Sequence, residues 1–140
     1  MSVKSTTKAI FTWPVRVYYE DTDSGGVVYY ANYLKFMERA RTEWLRGAGF
    51  EQTELLRELD VIFVVREVHV EYLKPAAFND SLNVTVKLLK TGRSYMDVAQ
   101  TVEREDILVR AETKIVCVGG QSFKPVSIPD IVRKKLEGAI

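Results

Sequence analysis

Cysteine, histidine and long apolar runs are scarce in this chain, and each shortage removes a class of function. The single cysteine, Cys117, cannot build an internal disulfide framework and fits a reducing compartment. The single histidine, His69, falls in an alternating stretch that reads as a strand, and no serine stands in a G-x-S-x-G elbow. A Ser-His-Asp triad therefore has no candidate members. The longest aliphatic and aromatic run, residues 61–65, is too short to cross a bilayer, and the first twenty residues lack the apolar core of a secretory signal. The expectation is a cytoplasmic protein with no membrane insertion. An excess of one charge is missing too: 20 basic and 19 acidic residues give a net charge of +1, which leaves no electrostatic footprint for nucleic acid. Repeats, low-complexity tracts and linkers are absent, so the 140 residues read as one domain, with residues 1–9 as a terminus not pinned to it.

What is present is a clear change of period along the chain. Residues 11–19 are rich in aromatic and β-branched types and predict a first strand, with Pro14 marking it as an edge. Residues 31–48 predict the strongest helix: Tyr33, Met37, Ala40, Trp44 and Ala48 recur at three- and four-residue steps, while Arg39, Arg41, Glu43 and Arg46 take the other faces. Asn32 is expected as N-cap and Gly49 as the C-terminal stop. A short helix over residues 51–58 follows. The period then becomes two, with Val64, Arg66, Val68, Val70 and Tyr72 expected on one face. Residues 82–90 and 93–103 predict a hairpin closed near Thr91-Gly92, and residues 107–118 a strand with Ile107, Val109, Ala111, Thr113, Ile115 and Cys117 inward. Pro129 and Asp130 open a short terminal helix. One amphipathic helix against one antiparallel sheet of about five strands is a two-layer α+β domain, whose outer sheet face and edges are expected to need cover.

Chemistry concentrates in residues 20–32. Glu20, Asp21 and Asp23 supply carboxylates, Gly25 and Gly26 allow close backbone approach, and a helix begins directly after. The N–H groups of a first helical turn are unpaired and sit at the positive end of the macrodipole, where they can receive a developing oxyanion. A carboxylate beside them can serve as base or nucleophile in acyl transfer. The same composition also serves as a plain solvated turn capped by Asn32. Gly25-Gly26 lacks the Gly-Lys-Ser/Thr ending of a phosphate-binding loop. A metal bound here would have an almost all-carboxylate set, unlike the His- and Cys-rich sets of zinc enzymes, so no metal is expected. Cys117 alternates inward and reads as packing.

The run Tyr18-Tyr19-Glu20-Asp21-Thr22-Asp23-Ser24-Gly25-Gly26-Val27-Val28-Tyr29-Tyr30-Ala31-Asn32-Tyr33, followed by Glu38-Arg39-Ala40-Arg41, resembles the 4-hydroxybenzoyl-CoA thioesterase family. Within it the likeness is greatest to the Tol-Pal-associated (YbgC-like) acyl-CoA thioesterases, and the strand order agrees over roughly residues 10–125. The resemblance implies a hot-dog fold, a sheet wrapped around the long helix. It implies Asp23 as the catalytic carboxylate and the backbone N–H of Tyr30 as the group that polarises the thioester carbonyl. Gly26, Val27, Tyr29 and Asn32 are then substrate-binding positions around them. The pantetheine arm of CoA would run between subunits of a homodimer or dimer of dimers, its phosphates meeting Lys90 and Arg93 with Ser94 beside them. Lys90 and Arg93 also suit simple solvation of a turn. Tyr30 departs from the Tol-Pal branch, whose members commonly carry histidine there, and matches the hydroxybenzoyl branch, which carries tyrosine.

The implied reaction is acyl-CoA plus water giving acid and CoA, with no cofactor, since CoA is part of the substrate. Other hot-dog thioesterases place their acid on the helix, which makes Glu38 the competitor of Asp23. Two further readings stand beside this one. A hot-dog dehydratase or hydratase would use a loop histidine, and none occurs in residues 20–48. A non-catalytic module binding acyl carrier protein or a larger complex would have no need of Asp23.

Overall fold

A computed structural model describes residues 10–138, so the expectation for residues 1–9 lies outside the described residues. Five strands form one antiparallel sheet: β1 (Phe11–Arg16), β2 (Val61–Tyr72), β3 (Ser81–Thr91), β4 (Tyr95–Glu103) and β5 (Ile107–Gly119), in the order β1-β3-β4-β5-β2. The edge strand β1 places Pro14 opposite Asn83, where a missing N–H is tolerated. Its strand character ends at Arg16 rather than at residue 19, because Tyr19–Asp21 turn into a short 3₁₀ segment.

Helix α1 (Asn32–Gly47) lies across β1, β3 and β4. Tyr33, Phe36, Met37, Ala40 and Leu45 are buried from its inner face, against Leu82, Val84, Val86 and Leu88 of β3 and Met96, Val98 and Val102 of β4. Burying apolar side chains of this size stabilises the fold by about 1.5–3 kcal/mol each. The helix stops in a Schellman arrangement: the Gly49 N–H donates to the Arg46 carbonyl and the Phe50 N–H to the Leu45 carbonyl, both at 2.9 Å, with Gly49 at φ +98°. Beyond it, Gln52–Glu54 and a π-turn over Leu55–Leu59 lead into β2. Helix α2 (Asp130–Gly138) closes the opposite end, where the Arg93 carbonyl accepts from the Ile128 N–H at 2.8 Å and from Arg133 Nη2 at 3.0 Å.

Three expectations are corrected. In β2 the pairing with β5 shifts between Val65 and Glu67, so Arg66 is an extra residue. This bulge reverses the phase: Val61, Phe63 and Val65 face inward before it and Val68, Val70 and Tyr72 after it, so Val64 and Arg66 do not belong to the inner face. In β5 a second irregularity near Leu108 buries that residue and leaves Ile107 37% exposed. The outer sheet face needs no apolar cover, since it carries a Thr85–Thr101 hydroxyl pair at 2.6 Å and a Lys114–Asp97 ion pair at 3.0 Å. Apolar surface is instead left uncovered on the inner side of the edge strand β2, where Val65 is 48% and Tyr72 44% exposed.

Two polar side chains sit in the core. Gln100 is satisfied, accepting from Arg41 Nη1 at 2.9 Å and donating to the Met37 carbonyl at 3.0 Å. Thr113 is not: among the described residues its buried hydroxyl has no partner. An unpaired buried hydroxyl costs free energy that an isosteric methyl does not. Thr113→Val is therefore expected to raise stability by about 1 kcal/mol in chemical denaturation with an unchanged m-value. A loss of stability would mean the hydroxyl has a partner after all.

Candidate active site

A short backbone hairpin builds the loop before α1. Thr22 pairs with Val28; the Asp23 N–H donates to the Val27 carbonyl at 2.9 Å, the Gly26 N–H to the Asp23 carbonyl at 3.0 Å, and the Tyr29 N–H to the Asp21 carbonyl at 3.0 Å. Gly26 sits at φ +83°, a conformation that glycine adopts without cost, which lets the chain reverse directly after the Asp23 side chain. The loop is anchored from below. Buried Val28 donates its N–H to the Ala76 carbonyl at 2.8 Å, and Val27 pairs with Ala77. The Ala77 N–H in turn donates to Asp80, whose carboxylate also takes Arg104 Nη1 at 2.7 Å. Those two donors, the Ala77 amide first, hold the Asp80 carboxyl below its ordinary range.

The two acids of the D-x-D pattern are used differently. Asp21 is tied down, its Oδ2 accepting the Tyr18 N–H at 2.8 Å. Asp23 is exposed, with Oδ1 accepting the Gly25 N–H at 2.8 Å. No hydrogen bond among the described residues engages its Oδ2. A carboxylate held by one oxygen and open at the other is oriented yet still available.

Asn32 departs from its expected place. The helix begins at Asn32 itself, Ala31 stands at the cap position with no capping side chain, and Asn32 Nδ2 reaches back to the Asp21 carbonyl at 2.9 Å. Its amide ties the helix to the loop instead of capping the helix. The helix terminus beside it is open. The Asn32, Tyr33 and Leu34 N–H groups turn back onto the Tyr29, Tyr30 and Ala31 carbonyls, and among the described residues the N–H groups of Tyr30 and Ala31 donate to nothing. They lie at the positive end of α1, one residue beyond Tyr29, which the hairpin sets beside Asp21.

Aromatic rings wall this terminus. Tyr29 and Tyr30 lie 4.9 Å apart between centroids, Tyr30 meets Tyr72 edge-on at 6.1 Å, and Tyr72 lies 5.7 Å from Tyr33. The buried Tyr33 accepts the Ala76 N–H on its hydroxyl at 2.9 Å, locking the helix start to the segment after β2. A cavity of about 250 Å³ opens here, lined by Val28, Tyr30, Tyr33, Tyr72, Lys74 and neighbours. Sequence reasoning had no signal for Tyr72 or Ala31, since a tyrosine ending an alternating strand looks like any other strand residue.

Gly26, Val27, Tyr29, Tyr30 and Asn32 thus gather with Asp23. Lys90, Arg93 and Ser94 do not. Lys90 ends β3 beside Thr91, and Arg93 and Ser94 follow in the β3–β4 turn, whereas the Asp23 loop docks on residues 76–77 just before Ser81. The length of β3 separates them, roughly 30 Å at about 3.3 Å per residue. Arg93 is exposed, Lys90 Nζ lies 5.8 Å over the Tyr95 ring, and the Ser94 carbonyl accepts the Cys117 N–H at 2.7 Å. Glu38 is two turns into α1, on the rim of a separate cavity of about 360 Å³ with Arg41, Trp44, Phe63 and Met96. Burial pushes the Cys117 thiol up to about 11, so it is not a thiolate at neutral pH. His69 points outward beside Glu67 at 3.2 Å. Among the described residues no three His, Cys, Asp or Glu side chains converge on a point that could hold a metal ion, and no helix is long and apolar enough to cross a membrane.

The chain resembles proteins of one kind. A family model described as the thioesterase-like superfamily matches residues 17–136. The acyl-CoA thioester hydrolase YbgC of Escherichia coli O157:H7 is 47% identical over 122 residues, covering 86% of this chain and 90% of its own. The acyl-CoA thioesterase YbgC of Haemophilus influenzae is 42% identical over 124 residues, covering 88% and 91%. A crystal structure of a probable thioesterase from Bartonella henselae superposes with a TM-score of 0.83 at 33% identity, over 86% of this chain and 100% of that one. The α+β sheet wrapped on one long helix is the hot-dog fold of such neighbours, and with nearly its whole length matched this chain belongs to the thioesterase-like superfamily.

Proposed function

We propose that this protein hydrolyses acyl-CoA thioesters, with Asp23 as the catalytic carboxylate and the Tyr30 backbone N–H as a donor to the thioester oxygen. The observation that carries the reading is the juxtaposition, in one anchored hairpin, of a half-engaged carboxylate with unbonded N–H groups at the start of a 16-residue helix. Acyl transfer needs both, a group that acts on the carbonyl carbon and fixed donors for the negative charge that then forms on oxygen. The activity named for the Escherichia coli and Haemophilus influenzae relatives supports CoA thioesters as the substrate class.

Two routes use the same oxygen of Asp23. In one, Asp23 Oδ2 bonds to the carbonyl carbon, the carbonyl electron pair moves to oxygen, and collapse expels CoA thiolate to leave a mixed anhydride that water cleaves. In the other, Asp23 takes a proton from water as it attacks, and the proton passes to the departing thiolate. Neither requires a cofactor. The Tyr30, Tyr33 and Tyr72 cavity lies where the first atoms of an acyl group would follow the carbonyl. A dehydratase reading is disfavoured by the outward position of His69, and a purely binding role gives the Asp23 carboxylate nothing to do.

CoA phosphates meeting Lys90 and Arg93 is part of the same reading, and the roughly 30 Å between that turn and Asp23 in one chain supports a contact between subunits. A homo-oligomer, a dimer or a dimer of dimers, would bring the two ends together and cover the open inner side of β2. The unpaired Cys117 fits catalysis in a reducing cytoplasm. An acyl carrier protein could present the same thioester, since the chemistry involves only the carbonyl.

Two measurements follow. Asp23→Asn keeps the side-chain shape and is expected to lower kcat for thiol release about 10²–10⁴-fold with the fold intact, while Glu38→Gln changes it far less. Turnover abolished by Glu38→Gln and largely kept by Asp23→Asn would move the site onto the helix. Replacing Lys90 and Arg93 together with alanine should raise KM for CoA thioesters, leave kcat nearly unchanged, and have little effect on a small thioester without the nucleotide. Equal losses on both substrates would mean a folding defect rather than lost phosphate contacts.

A further inference from the structure

We propose that the Ala31 N–H is a second donor to the thioester oxygen and that Tyr72 is its positioning residue, acting through the hydrogen bond from its hydroxyl to the Tyr30 carbonyl. The inference rests on the thioesterase reading of the Asp23 site. The Tyr72 hydroxyl donates to the Tyr30 carbonyl at 3.2 Å. That carbonyl and the Ala31 N–H are the two ends of one planar peptide unit, so fixing one end fixes the direction of the other. A donor on the carbonyl also polarises the amide and makes its N–H a better donor in turn. Among the described residues the only other group on the Tyr30 carbonyl is the Tyr33 N–H, at a long 3.3 Å, so the Tyr30–Ala31 peptide would be loosely held without Tyr72.

The setting suits a support of this kind. Tyr72 is the last residue of β2, in register with Val109 of β5, so its backbone belongs to the sheet. Its ring rests edge-on against Tyr30 and tilted against Tyr33. Burial and the neighbouring phenols raise its own ionisation above 10.0, which keeps the hydroxyl protonated and donating at neutral pH. Pinning of the helix is already done elsewhere, by the buried Tyr33 hydroxyl on the Ala76 N–H. Tyr72 is 44% exposed and carries little of the core, so its hydroxyl is available for a role at the terminus. The Tyr30 and Ala31 N–H groups, adjacent in sequence and both unbonded, make a two-donor pocket in which only the second depends on Tyr72.

Tyr72→Phe keeps the ring and removes only the hydroxyl. With one acyl-CoA substrate, kcat should fall about 5- to 20-fold, less than the roughly 10²–10³-fold of losing an oxyanion donor outright, while KM stays within about two-fold. Incorporating 3-fluorotyrosine at position 72 retains the hydroxyl and makes it a stronger donor, so kcat should return to the wild-type value or exceed it. Unchanged kcat in Tyr72→Phe overturns the proposal. So does a loss carried by KM, or an equal loss with 3-fluorotyrosine, since these would mean substrate packing or structure. Should Tyr72→Phe fail to fold, the 3-fluorotyrosine protein decides alone: kcat at or above wild type supports the proposal and a lower value overturns it. Failure of the thioesterase reading looks different, because the wild-type protein would then release no thiol from any acyl-CoA.

Discussion

The pairing of Thr22 with Val28 sets everything at the site. It places Asp23 opposite Val27 and Asp21 opposite Tyr29, and so delivers the chain into α1 one residue later with its first N–H groups open. The pairing persists because both flanks are fixed: Val28 is buried and bonded to Ala76, and Asn32 holds the Asp21 carbonyl from the helix side. A capping side chain at Ala31 would accept from the Tyr33 or Leu34 N–H, so the Tyr30 and Ala31 donors stay open whatever residue stands there. Asn32, one position later, spends its amide on the loop and so holds the helix start against Asp21.

Much of this was legible in the sequence, and the part that was not has physical causes. Helix α1 was readable because its apolar residues repeat at helical spacing over four turns and Gly49 ends it in a left-handed residue. The loop was readable because acids and glycines before a helix have few uses. The phase of β2 was not, since one extra residue at Arg66 reverses inside and outside and leaves no compositional mark. Nor could alternation alone tell that the outer face would be polar and the inner face of β2 half open. That depends on where α1 settles, over β1, β3 and β4. Tyr72 is a case of the same limit: its neighbour Tyr30 is 42 residues away, and only the fold brings them together.

The two groups of residues that the proposed function invokes do not meet within one chain. At one end of β3 lie the Asp23 loop, the open helix start and the tyrosine wall; at the other lie Lys90, Arg93 and Ser94 on a turn braced by α2. A rigid sheet cannot fold these together, so a ligand touching both must be shared between copies of the chain. The half-open side of β2 is the apolar surface that such an assembly would bury. The proposed function thus ties catalytic geometry to oligomeric state.

Mixing two proteins, one without its carboxylate and one with weakened CoA binding, tests that claim most directly. Subunits carrying Asp23→Asn, exchanged with subunits carrying Lys90→Ala and Arg93→Ala, form mixed oligomers in which one site combines an intact Asp23 from one chain with an intact turn from the other. At low acyl-CoA concentration the account predicts recovery to about a quarter of the wild-type rate for random exchange in a two-site dimer, with wild-type KM in the restored sites. A mixture no more active than the sum of its separate components would contradict it, and would place the carboxylate and the phosphate contacts in separate, single-chain roles.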